Sequence, residues 1–266
     1  FRDRGAIAPG KIADIVFLRE RSKDLPISWV MKKGEIVYTS ASNSSEPVSF
    51  DKSFSDKFYR TVNTPPIEEK LFLLEPTIKE GYQRCRVMEK NPANTSTKEI
   101  FVDLPARGGK LLWQEAGLNM VAVINRYGGD SYALGLVEGN VIRGGAFASS
   151  YAHDHHNLLV IGDNVMDMAA AANWVVKSQG GMVFASKGKT EACLRLPIGG
   201  LLSENCVQEV AQASATVKDA LINHEFKSTN PIMSICTITL PVSPALKITD
   251  KGLVDTLKVQ IVPLFV

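Results

Sequence analysis

Three of the four histidines in this chain fall within four positions, at His153, His155 and His156. Asp154 lies inside the group and Asn157 follows it. The group sits in Gly-Ala-Phe-Ala-Ser-Ser-Tyr-Ala-His-Asp-His-His-Asn-Leu-Leu-Val-Ile-Gly-Asp, residues 145–163. Small residues precede it and an apolar run follows, so the polar group is expected where an ordered element ends. Three kinds of chemistry suit these residue types. The first is metal binding: on a strand, His153 and His155 would share one face, with Asp154 and His156 on the other. A catalytic metal needs a third protein ligand and an open position, and nothing in the sequence selects that ligand. The second is proton handling and substrate contact, with His153, Asp154 and His156 as the catalytic candidates. An Asp between histidines can fix a tautomer or raise a histidine pKa, and Asn157 offers a donor and an acceptor to the edge of a heterocycle. The third is a structural polar cluster that satisfies backbone groups at a strand end.

The elements that must position these residues follow from hydrophobic periodicity. Strands are expected at Arg86–Met88, Glu99–Val102, Met120–Asn125, Ala133–Val137, Leu158–Ile161, Met182–Ala185, Ala192–Leu196 and Ile232–Leu240. Asp163 or Asn164 caps a helix whose apolar face is Val165, Met168, Ala169, Ala172, Val175 and Val176, and Gly180-Gly181 ends it. Ser203 is expected to cap a second helix with Cys206, Val210, Val217 and Leu221 on its inner stripe. Lys187-Gly188-Lys189 reads as a hairpin turn. Ser149-Ser150 near His153 has no nucleophile spacing and reads as small residues packed under a strand. Leu196–Ser203 and Leu240–Asp255 read as apolar loops that need covering at a domain or subunit interface, which makes a homo-oligomer the expected assembly. Asp250-Lys251 reads as a turn with a solvated ion pair.

Ahead of this region, Gly5–Leu18 reads as a Pro-Gly turn feeding a short strand at Asp14–Leu18. Trp29–Met31 and Glu35–Tyr38 form a hairpin around Lys32-Lys33-Gly34. Three such strands cannot close a core alone, and upstream sequence is the natural source of more. The first residue, Phe rather than Met, gives the same expectation of preceding chain. The expected organisation is a partial β-sandwich at 1–45, a linker at 46–70 and an α+β domain at 71–266, with mixed and antiparallel sheets and few helices.

Bulk properties exclude several classes. The net charge is +2 with no run of like charges, so a nucleic-acid footprint is not expected. No apolar run approaches ~18 residues, so no membrane span is expected. Arg107-Gly108-Gly109-Lys110 and Arg143-Gly144-Gly145 read as turns. Cys85, Cys193, Cys206 and Cys236 are widely spaced in apolar contexts. They read as packed thiols in a reducing cytoplasm rather than a zinc site. Phosphate-cradling glycine motifs and a nucleophile elbow are absent.

Several blocks, in order, resemble the C-terminal part of adenine deaminases of the amidohydrolase superfamily. Gly145–Asn157 is similar to the family's Gly-Ala-Ile-Ala-Ser-Thr-x-Ala-His-Asp-Ser-His-Asn. Asp167-Met168 begins the family helix. Leu196–Ser203 is similar to Leu-Pro-Ile-Ala-Gly-Leu-Met-Ser. Leu240–Asp255 is similar to Leu-Pro-Val-Ile-Pro-Glu-Leu-Lys-Leu-Thr-Asp-Lys-Gly-Leu-Val-Asp. Gly5–Leu18 resembles the segment that returns from the catalytic barrel into its companion β-sandwich. The resemblance implies hydrolysis of adenine to hypoxanthine and ammonia, in purine salvage, by a water activated on a divalent metal, manganese or iron. It also implies that the metal ligands lie on a TIM barrel preceding Gly5–Leu18. No barrel fits in this chain, so the chain alone is expected to be inactive and its own barrel portion to be its partner. His155 stands where the family block has Ser, and Tyr127 follows Arg126 where the family often has His. Two other classes stay open: a non-catalytic binding or assembly module, and an autonomous metallohydrolase built on His153 and His155.

Overall fold

Strands with apolar residues at every position must be buried on both faces, and the centre of this fold is built from such strands. The computed structural model describes residues 2–41, 54–91 and 93–266. It divides into two units, residues 1–51 and 52–266. In the first, β1 (Ile15–Leu18), β2 (Ile27–Lys32) and β3 (Glu35–Thr39) form an antiparallel sheet in the order β1-β2-β3. None of the described residues of this unit is buried. Val16, Ile36 and Val37 are each more than half exposed.

The second unit carries a nine-stranded sheet. Its strands are β4 (Gly81–Lys90), β5 (Thr97–Arg107), β6 (Lys110–Leu111), β7 (Asn119–Ile124), β8 (Tyr132–Glu138), β9 (Ala146–Ser149), β10 (Leu158–Gly162), β11 (Gly181–Ser186) and β12 (Lys189–Arg195). The spatial order is β12-β11-β9-β10-β7-β8-β4-β5-β6. Only the β4–β8 pairing is parallel; the others are antiparallel. This is the expected α+β class with mixed and antiparallel sheets, and no closed barrel occurs among the described residues. The edge turns at 107–110 and 187–188 join antiparallel neighbours as expected.

Period-two alternation deals the side chains to two cores. One face sends Val121, Val123, Phe147, Leu159, Ile161 and Phe184 against α2 (Val207–Asn223) and α3 (Pro231–Cys236). The other sends Met120, Ala122, Ala148, Val160 and Val183 against α1 (Val165–Ser178). Ala146 and Ala148 let α1 lie close over β9. Asn164 caps α1, its side-chain carbonyl accepting from Asp167 N–H at 2.9 Å. Gln179 ends the helix in a left-handed conformation, and Gly180 follows with φ +122°. Replacing Asn164 with alanine is expected to cost about 1 kcal/mol, a Tm fall of about 2–4 °C by calorimetry.

Three expectations are corrected. Residues 232–240 form no strand; they form α3 and a 3-10 turn at Thr237–Thr239. Asn230 caps that helix and Pro231 opens it, and both override the β-branched alternation behind them. Leu240–Asp255 is not an open loop. Its second half is a hairpin, β13 (Leu246–Thr249) and β14 (Gly252–Asp255), extended by β15 (Gln260–Val262), with Leu246, Ile248 and Leu253 in the core. Ser203 does not cap α2. Cys206 occupies that position and is exposed, while Val217, Ala220 and Leu221 supply the buried stripe.

Of the expected linker at 46–70, residues 46–53 lie outside the described residues. From 54 onward the chain is ordered on the second unit: Val62, Ile67 and Phe72 are buried. Among the described residues no helix is long and apolar enough to cross a membrane.

Candidate functional site

The histidines occupy the loop between β9 and β10, residues 150–157, rather than a strand. Strand alternation therefore does not apply to them, and His153 and His155 do not form the one-face pair that a metal site on a strand would need. The loop closes as a turn. His156 N–H donates to the Ala152 carbonyl at 2.7 Å, and Ala152 N–H donates back to His156 Nδ1 at 3.2 Å. His156 takes a left-handed backbone, φ +49°, a strained state that surrounding bonds must hold. Two neighbouring elements anchor the loop. His153 N–H donates to the Cys236 carbonyl at 3.2 Å, and Thr239 Oγ1 donates to the His153 carbonyl at 2.8 Å. The helix that replaced the expected strand at 232–240 thus serves as the loop's support.

Backbone donors sort the three imidazoles into different roles. A ring nitrogen that accepts an N–H bond carries no proton. His156 Nδ1 accepts from Ala152, and His155 Nδ1 accepts from Asn157 N–H at 3.0 Å. Both rings are therefore neutral with the proton on Nε2. Burial lowers the pKa of both, and the nearby His153 and Arg126 lower His156 further. His155 Nε2 is buried and has no hydrogen-bond partner among the described residues. His153 differs. Its Nδ1 lies 3.6 Å from Asp154 Oδ1, and its Nε2 lies 3.0 Å from the Tyr151 hydroxyl. Burial raises the Tyr151 pKa, so the phenol keeps its proton at neutral pH. Asp154 is 68% exposed, so this carboxylate meets solvent while His153 is three-quarters buried. The rings of His153 and His156 face each other at 5.9 Å, with Tyr151 packed edge-on to His153 at 4.9 Å. His153 is the one histidine of the loop whose two ring nitrogens both face side chains, with neither held by a backbone N–H.

Asn157 is buried, and its carbonyl accepts from Arg126 N–H at 3.3 Å. Its remaining polar group for a ligand is the side-chain NH2. Arg126 itself is 2% exposed and forms no ion pair among the described residues. Its guanidinium donates to the carbonyls of His156, Thr61 (2.8 Å) and Gly199 (2.9 Å), and to Thr61 Oγ1 at 3.0 Å. The Tyr127 ring packs over it at 4.6 Å, and the Tyr127 hydroxyl donates to the His155 carbonyl at 2.9 Å. Gly200 (φ +74°) makes this approach possible, since a Cβ there would lie 2.7 Å from an Arg126 nitrogen. Within Leu196–Ser203, Leu196 and Ile198 turn into the core, while Leu202 is left 59% exposed. Ser149 and Ser150 are fully buried and bond backbone: Ser150 Oγ donates to the Gly200 carbonyl at 2.6 Å.

Asp250 is likewise not a solvated turn residue. It is 8% exposed and binds Ser131 and Lys251. Burial pushes its pKa up, but the bonds from Ser131, Lys251 and Asn125 outweigh that and hold it low. Arg126 does not stand out as a site residue in the sequence because its partners Thr61, His156 and Gly199 lie far away along the chain, whereas Tyr151, two residues from its partner His153, carries no spacing signal of its own. Tyr127 was visible only as a departure from a family pattern.

Among the described residues no three His, Cys, Asp or Glu side chains are grouped to hold a metal. The fold and the loop together define an α+β domain that gathers histidine, tyrosine and carboxylate side chains in one loop between two buried strands. Comparison with known proteins gives that domain its family. The family described as "Adenine deaminase C-terminal domain" matches residues 94–260. The chain is 42% identical over 265 residues to adenine deaminase 2 of Shouchella clausii, covering 99% of this chain and 46% of that protein. It is 41% identical over 266 residues to adenine deaminase of Clostridium perfringens (strain 13), and 38% identical over 267 residues to that of Moorella thermoacetica. This chain belongs to the adenine deaminase family, as its C-terminal portion. It spans about half the length of the curated relatives it matches.

Proposed function

We propose that the protein containing this chain hydrolyses adenine to hypoxanthine and ammonia, and that the chain contributes the loop 150–157 to that reaction. The observation that carries this reading is the alignment of 99% of the chain with proteins named adenine deaminase. Among the described residues no group of side chains fits the metal implied by that family, manganese or iron. Its ligands are assigned to the rest of the protein, and this chain is left with proton and substrate work.

In this reading His153 carries a proton between solvent-exposed Asp154 and the substrate. His156, its tautomer held by Ala152, offers an Nε2–H to the purine. Asn157 offers its side-chain NH2 to a ring nitrogen, and Arg126 and Tyr127 fix the loop. The exposed apolar residues of β1 and β3 support a first unit completed by strands from the missing portion. The four free cysteines fit a cytoplasmic setting, in purine salvage. The exposed Leu257, Val259 and Ile261 near β15 fit a homo-oligomer.

The test compares adenine turnover by this 266-residue chain with turnover by the complete gene product, each supplied with manganese or iron. The chain alone is expected to release no ammonia above background, and the complete protein to be active. Metal-dependent turnover by the chain alone would sink this reading and bring the His153-centred metallohydrolase forward. An inactive complete protein would favour a binding or assembly module.

A further inference from the structure

The nine-stranded sheet has an unpaired edge at β12. One bond decides which main-chain groups that edge offers. Leu196 N–H donates to the Gly180 carbonyl at 3.2 Å. Bonded and non-bonded pairs alternate along an antiparallel ladder, so Leu194, opposite Met182, bonds β11, while Cys193 and Arg195 turn their N–H and carbonyl groups outward. Those outward groups take no partner among the described residues. The register shift opposite Phe184 and Ala185 lies nearer the start of β12 and leaves the ladder from Ala192 to Arg195 regular. A free, regular edge is a template for another strand.

A groove of about 750 Å³ opens beside these residues, and Cys193, Leu194 and Arg195 all line it. Successive strand side chains point to opposite faces, so the groove borders the edge of the strand rather than one face. α2 lines it with Glu209, Val210 and Ala213, and the segment 54–59 with Phe54, Asp56 and Tyr59. Two bonds hold that segment in place: the Tyr59 hydroxyl donates to Glu204 Oε1 at 2.6 Å, and Gly199 N–H donates to the Phe58 carbonyl at 2.7 Å. The charged lining is Asp56, Glu204 and Glu209 against the single Arg195, and none of the four forms an ion pair among the described residues. The edge calls for an extended main chain, and the excess of carboxylates calls for a cationic one.

We propose that this groove binds an extended peptide segment of a partner, which adds a strand to β12 through Cys193 and Arg195 and sets lysine or arginine side chains against Asp56, Glu204 and Glu209. The inference does not rest on the proposed reaction, and none of these residues belongs to the His153 loop. The probe is a fluorescein-labelled peptide of three Lys-Val repeats, compared with one of three Glu-Val repeats. Binding to the complete gene product is read by anisotropy at constant ionic strength. The Lys-Val peptide should bind about tenfold more tightly or better. Arg195→Pro removes an outward N–H and no ladder bond, a change an edge strand tolerates. It also removes the one cation of the groove, so attraction by charge alone would tighten binding, whereas strand pairing predicts a Kd raised about fivefold. Asp56→Asn combined with Glu209→Gln leaves the edge intact and should raise the Kd about tenfold with Tm unchanged. No binding of the Lys-Val peptide at millimolar concentration, equal binding of the two peptides, unchanged or tighter binding by Arg195→Pro, or an unaffected double variant would each overturn the proposal.

Discussion

Replacing Arg126 with alanine is expected to destabilise the domain by about 3–5 kcal/mol, a Tm fall on the order of 10 °C. The side chain is almost fully buried and its guanidinium ties together three separate stretches of chain. It holds Thr61 ahead of the sheet, His156 in the site loop and Gly199 in the 196–203 loop, while its own N–H is bound by Asn157. Removing it strands three carbonyls and leaves a void that Gly200 cannot fill. The cost of burying the charge, which pulls the Arg126 pKa down, offsets only part of this. Lysine keeps a charge but cannot present the same planar fork, so Arg126→Lys should recover less than half of the loss. Urea unfolding with an unchanged m-value is the measurement. A loss under 0.5 kcal/mol, typical of a surface position, would show that the loops do not depend on this residue.

The second large effect is a rise of stability with pH that depends on Lys247. Burial pushes its pKa down from 10.5 to about 8, with the neighbouring Lys90 lowering it further. Between those values the unfolded chain holds the proton and the folded chain does not. The unfolded state binds more protons there, so stability increases with pH across the window. Below about pH 8 both states are protonated and the full destabilisation by Lys247 is present. A difference of that size corresponds to about 3 kcal/mol. The thiols of Cys85 and Cys236, pushed up to about 11 and about 12 by burial, act in the opposite sense once the unfolded thiols ionise near pH 9. The clean observable is therefore the stability of the wild type minus that of Lys247→Met, followed in chloride buffers from pH 7 to 10.5. It should climb by about 3 kcal/mol in favour of the wild type. A flat difference would mean that Lys247 stays charged when folded.

The parts of this fold legible in the sequence are those fixed by near neighbours. β7, β10 and β11 announced themselves as apolar runs, and Asn164 and Gly180 marked the ends of α1. The segment 232–240 misled because Ile, Thr and Cys alternate there like a strand, while the decisive signals, Asn230 and Pro231, stand just before it. The hairpin Leu246–Asp255 is masked in the sequence by Pro241 and Pro244 just ahead of it, although Thr249-Asp250-Lys251-Gly252 is a turn. The site was legible as a cluster of residue types and not as a geometry. Which histidine keeps both ring nitrogens facing side chains is decided by two backbone N–H groups, Ala152 and Asn157, and no spacing rule reports those. The clamp on the loop comes from Arg126, about thirty residues upstream, and from Thr61 and Gly199.

The most direct test of the account is kcat/KM for adenine in the complete gene product, measured against pH for wild type, His153→Ala, His153→Gln and Asp154→Ala. Thermal stability is recorded alongside. The account predicts a loss on the order of 10²-fold or more for His153→Ala, the scale of general acid–base catalysis. Tm should be nearly unchanged, one limb of the pH profile should disappear, and His153→Gln should give no rescue. Unchanged kcat/KM and an unchanged profile in both alanine variants would contradict it and make the loop a structural cluster.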